Sequence, residues 1–81
     1  MNIYVHRKTD SGKVSPREVF NHLNRKFPEI CGPHPLKVLV TMGQVVRGMA
    51  HNEPFVPGDN DEKSVLKFIS SNYFVTTEDE A

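Results

Sequence analysis

This chain of 81 residues holds one cysteine, and no apolar run in it approaches the roughly twenty residues of a membrane-crossing helix. A lone Cys31 excludes an internal disulfide and fits a reducing compartment. The opening residues, Met1-Asn2-Ile3-Tyr4-Val5-His6-Arg7-Lys8, carry no signal-peptide core, so a cytoplasmic protein with no membrane partner is expected. There is no Gly-rich phosphate loop, no Cys-x-x-Cys pair and no nucleophile elbow. The four histidines His6, His22, His34 and His51 lie on separate segments without i, i+3 or i+4 spacing. A metal site would need three of them to converge, so neither a metal nor a cofactor is expected. Cys31 has no evident activating partner beyond His34, which favours an inert thiol over a nucleophile. These absences argue against an enzyme and make binding the default.

What the chain does have is a charge asymmetry hidden under a net charge of zero. Residues 1–52 carry eight Lys/Arg against three acids, a balance of +5, and residues 53–81 carry the opposite balance of −5. One reading is a solvated surface whose two halves attract. The other is a basic face for a polyanion, with an acidic loop and tail that limit non-specific adhesion. The length allows one small domain with a thin core.

Local signals divide the chain into 1–14, a β segment and turn; 15–74, a helical core; and 77–81, an acidic tail. Ile3-Tyr4-Val5 is β-prone, and Thr9-Asp10-Ser11-Gly12 is a turn. Ser15-Pro16-Arg17-Glu18 is a helix start, with a capping serine, proline in the first turn and glutamate to complete a capping box. Val19, Phe20, Leu23 and Phe27 then form one apolar stripe. Pro28 biases Phe27 out of helical geometry and ends the helix. A stiff Gly32-Pro33-His34-Pro35 connection follows.

The segment 36–49 is ambiguous between helix and strand. Its length favours a buried helix with Leu36, Leu39, Val40, Val46 and Met49 as its apolar set. The Pro- and Asn-rich stretch 51–60 is a loop. Asn60 or Asp61 can cap a third helix, with Val65, Leu66 and Ile69 as its stripe and Phe68 alongside. Tyr73-Phe74-Val75-Thr76-Thr77 is β-prone and can pair with Ile3-Tyr4-Val5. The expected architecture is α+β and mostly helical: about three helices with a short two-stranded β element.

The steps Arg25-Lys26-Phe27-Pro28 and Pro35-Leu36-Lys37-Val38-Leu39-Val40 resemble the ProQ/FinO family of bacterial RNA chaperones. In that family a helix ends in an Arg-Phe-Pro-like step and the next opens Pro-Leu-Lys-Ile-Gly-Ile. The later run from Lys63 through Leu66-Lys67-Phe68-Ile69 to Tyr73-Phe74 is similar to the family's Leu-x-x-Ala-Leu-Arg-x-Tyr helix. The resemblance spans about three-quarters of the chain. It implies RNA binding without catalysis, on a structured RNA such as a hairpin with a 3′ single strand. By position it makes Lys37 the cation of the Pro-Leu-Lys step, Lys67 the basic residue of the later helix, and Tyr73 its aromatic.

The residues argue for the same chemistry on physical grounds. Duplex RNA is held through phosphates, 2′-hydroxyls and shape, for which Lys and Arg on a rigid helical face suffice. Lys37 in the first turn of a helix can join the free N–H groups there in holding a phosphate. Arg17, Arg25 and Lys26 lie off the apolar stripe of the first helix as a phosphate-facing patch or a solvated face. Tyr73 is a base-stacking candidate or a core residue. The alternative function is a small protein–protein adaptor or inhibitor, using the acidic loop at 53–62 or the acidic tail. A DNA-binding helical module ranks lower, because no tight helix-turn-helix spacing is present.

Overall fold

A computed structural model of the chain describes residues 2–31 and 35–78. The connection at 32–34, the Cys31–His34 side-chain pair and the tail at 79–81 lie outside the described residues. Strand β1 (Asn2–Arg7) leads through a turn to the two-residue strand β2 (Lys13–Val14). Helix α1 (Pro16–Lys26), a single turn α2 (Pro28–Cys31), the long helix α3 (Pro35–His51), helix α4 (Asn60–Asn72) and strand β3 (Tyr73–Glu78) follow. The segment left ambiguous by sequence is a helix, and the fold is mostly helical α+β, as expected.

The pairing of the two chain ends is also as expected. β1 and β3 run antiparallel, with Ile3 opposite Thr77 and Val5 opposite Val75. The sheet has a third strand, however, since β2 pairs with the other edge of β1 and gives the order β2-β1-β3. Two residues are too short a run to show period-two alternation, so the sequence pattern could not announce it. The turn between β1 and β2 is held by polar contacts. Asp10 accepts from the Gly12 amide at 2.9 Å and from Arg7 Nε at 3.0 Å, while Ser11 takes a left-handed φ of 61°.

Helix α1 begins as its sequence dictates. Ser15 Oγ accepts from the Glu18 amide at 3.2 Å, and Pro16 occupies the first turn. The Glu18 carboxylate accepts from Arg7 Nη1 at 3.2 Å, which ties the helix start to β1. At the other end the Phe27 amide donates to the Leu23 carbonyl at 2.8 Å, and Phe27 leaves helical geometry with φ −129° and ψ 64°. Pro28 enforces that departure, because its ring excludes the helical conformation of the preceding residue.

The core joins Val5 of the sheet, Val19 and Leu23 of α1, Val38, Met42 and Val45 of α3, Val65, Phe68 and Ile69 of α4, and Tyr73 of β3. The apolar face expected for α3 is thereby corrected. Leu36, Leu39 and Val40 are exposed, while Val38, Thr41, Met42, Val45 and Gly48 are buried. A helix apolar on most of its circumference offers more than one stripe, and periodicity does not choose between them. The α4 cap is one residue earlier than expected: Asp59 Oδ1 accepts from the Glu62 amide at 2.9 Å. Lys8 of the β1–β2 turn closes the far end of α4, donating from Nζ to the Ser70 carbonyl at 2.6 Å.

Candidate functional site

The departure of Phe27 from helical geometry places its ring against α4. It meets the buried Phe68 edge-on, with centroids 5.7 Å apart and planes at 80°. Beside this contact lies an open groove of about 390 Å³ between the end of α1 and the flank of α4. Lys26 and Phe27 form one wall; Ser64, Lys67, Phe68 and Ser71 form the other. The α4 residues are spaced three or four apart, so they share one helical face. A smaller recess of about 280 Å³ is lined by Lys26, Phe27, Pro28 and Glu29.

Two of the expected cations, Lys26 and Lys67, are thus brought together from separate helices. Both are exposed. Lys26 lies in the last turn of α1 with Arg25, where the helix dipole favours positive charge without neutralising it. Two ammonium groups beside a half-buried aromatic ring and two serine hydroxyls can hold a phosphate and pack a planar ring. The Glu29 carboxylate in the neighbouring recess sets a polar limit to that surface.

Lys37 is placed elsewhere. Its Nζ donates to Asp59 Oδ2, so the first turn of α3 is bonded to the residue that caps α4. The hydrogen bond to Asp59 raises the Lys37 pKa from its ordinary value, with further support from the charges of Asp59, Asp61 and Glu62. The same bond, followed by that from the Glu62 amide, lowers the pKa of Asp59. Lys37 therefore stands in acidic surroundings, which corrects the phosphate-holding role expected of it in the first turn of α3. Lys67 lies two turns further along α4, roughly 12 Å on by helical rise.

Tyr73 is only 3% exposed, and its ring belongs to the core. Its hydroxyl shares a hydrogen bond of 2.7 Å with His22 Nδ1. Burial raises its pKa, as does the charge of Glu18, while Arg25 and Arg7 pull the other way. A ring enclosed in this manner presents no face to a base, so the stacking role expected of Tyr73 is withdrawn. Arg17 and Arg25 are exposed on α1, and neither lines the groove.

Sequence reasoning missed the outer face of the sheet. Tyr4 and His6 project from the same side of β1, opposite to that of Val5. His6 stacks on Phe74 across the strands, with centroids 4.8 Å apart and planes at 8°, and Lys13 lies 4.4 Å from the Tyr4 ring centre. His6 Nδ1 donates to the Ser11 carbonyl at 3.0 Å, and its Nε2 shares a hydrogen bond of 2.8 Å with Thr76 Oγ1. The alternation in Tyr4-Val5-His6 was the available signal, since it sets the two aromatic residues on one face.

Comparison with known proteins adds no relative: no protein-family model, no curated protein and no solved structure matches this chain.

Proposed function

We propose that this domain binds structured RNA through the groove between α1 and α4, as a non-enzymatic, cytoplasmic RNA chaperone of the ProQ/FinO kind. The observation that carries the reading is the convergence of Lys26 and Lys67 on one groove beside the Phe27 ring. Two cations on separate rigid helices suit two successive phosphates, and an aromatic wall suits an unpaired base next to them. The 3′ single strand of a hairpin supplies both. The contacts proposed are those of Lys26, Lys67 and Phe27, with Arg25 adjoining. Lys37 is left out because Asp59 holds it.

The adaptor reading draws less support. Two of the carboxylates in its acidic loop are engaged internally: Asp59 caps α4 and holds Lys37, and Glu62 accepts from the Gly58 amide at 2.6 Å. Fluorescence anisotropy with a hairpin bearing a 3′ tail, repeated over a range of salt, tests the proposal. Counterion release predicts a linear fall of log affinity with log salt, with a slope of about −1.4 for two phosphate contacts on a single strand. Absence of binding at low salt, or affinity indifferent to salt, would overturn it.

A further inference from the structure

The described residues contain five exposed large hydrophobic side chains, and three of them lie on the first turns of α3: Leu36, Leu39 and Val40, at 73%, 42% and 52%. Their placement is not scattered. At about 100° per residue, Leu36, Val40, Gly43 and Arg47 fall within roughly 60° of arc, with Leu39 at its edge. That arc lies opposite the buried arc of Val38, Met42 and Val45. The spacing of four, three and four residues is that of a helix–helix seam. At its centre Gly43 faces open space, with nothing within 4 Å of where a Cβ would stand, so another backbone can approach closely.

We propose that this face is the interface of a homodimer in which α3 packs antiparallel on α3 of a second copy. Charge decides the occupant and the direction. Arg47 ends the seam on one side. On the other side Leu36 adjoins Lys37, which is bonded to Asp59, the N-cap of α4, with Asp61 and Glu62 following in the first turn of that helix. Antiparallel pairing centred between Val40 and Gly43 sets each Val40 over the partner's Gly43. It also sets each Arg47 beside the partner's Leu36, within reach of the exposed Asp61. The match occurs twice about a two-fold axis, as an isologous interface requires. A parallel pair would put Arg47 against Arg47 and leave the acids unmatched. The net charge of zero adds no long-range repulsion between copies.

One helix face is smaller than a standard interface, so the dimer is concentration-dependent, with a dissociation constant on the order of 10 μM to 1 mM. None of the seam residues lines the groove of α1 and α4. A dimer therefore offers two grooves to one RNA, and it forms without RNA.

Sedimentation equilibrium of the full chain, without RNA, tests it. The mass should rise from the 9.2 kDa of one chain towards twice that as concentration approaches about 1 mM. Val40→Asp should stay monomeric with an unchanged circular dichroism spectrum, since Val40 is outside the core. Arg47→Glu should weaken the dimer by roughly tenfold, and Arg47→Glu combined with Asp61→Arg should restore it. A wild-type chain that stays monomeric throughout, a dimer indifferent to Val40→Asp, or a double variant as weak as Arg47→Glu alone would each overturn the proposal. Arg47 and Asp61 are both exposed, so the swap remains decisive should Val40→Asp fail to fold.

Discussion

Helix α4 meets a lysine of another helix at two places, and the two meetings differ. At its N-terminal end Lys37 of α3 is bonded to Asp59, a carboxylate already fixed by capping the helix. Two turns later Lys67 shares a groove with Lys26 of α1, and no carboxylate is bonded to either cation among the described residues. A lysine held by a cap is part of the scaffold, because a ligand must displace a carboxylate that also serves the helix. Two lysines that line one groove from separate helices leave their charge available to an anion. Sequence alone weighs these cations alike; the fold separates the structural lysine from the available pair.

The most damaging substitution removes what the two places share. Ile69 is fully buried on α4, and Ile69→Ala should cost about 2–5 kcal/mol in urea denaturation. In a domain of this size that is a large part of the total stability, so corner and groove should be lost together. Phe27→Ala acts on one place alone. It removes the half-buried ring that packs on Phe68, and should cost roughly 1–2 kcal/mol while weakening RNA binding. Gly43→Ala lies outside both. Its new methyl meets nothing in the monomer, so better helix propensity should stabilise the dilute protein by about 0.5–1 kcal/mol.

The smallest effect is a pH dependence confined to the corner. Asp59 has a folded pKa below its ordinary 3.8, so its contribution is present above that value and is lost as pH falls through the lowered one. Lys37 has a folded pKa above 10.5, so its contribution holds below that value and is lost as pH rises through the raised one. Thermal melts of Asp59→Asn should therefore show a shallower acid decline than the parent chain. The same comparison with Lys67→Met should show no change in that decline, because no carboxylate among the described residues is bonded to Lys67.

Much of the fold was legible where short-range chemistry sets it. Ser15-Pro16 starts α1, Phe27-Pro28 ends it, and the β-prone ends Ile3-Tyr4-Val5 and Tyr73-Phe74-Val75 pair as their propensities suggest. What escaped depends on contacts distant in sequence. The buried side of α3 is chosen by α4 and the sheet, since the helix itself offers apolar residues on opposite faces. The Lys37–Asp59 bond spans 22 residues, and nothing in the Pro-Leu-Lys step foretells it. Tyr73 opens a strand at the end of α4, where its ring is enclosed and its hydroxyl meets His22 of α1, 51 positions earlier. The candidate site was half legible for the same reason. Lys26 and Lys67 could be named as cations, but their convergence required the packing of Phe27 on Phe68.

The most direct test sets the two lysines of α4's surroundings against each other in one assay. Lys67→Met and Lys37→Met each remove one charge and keep an unbranched stem. Measured against the same hairpin with a 3′ tail at low salt, Lys67→Met should lose roughly fivefold to tenfold in affinity and about one unit of salt slope, with its melting temperature unchanged. Lys37→Met should keep the parent affinity, with at most a slight fall in melting temperature, since exposed ion pairs contribute little. Equal losses of affinity in the two variants, or a loss confined to Lys37→Met, would contradict the account.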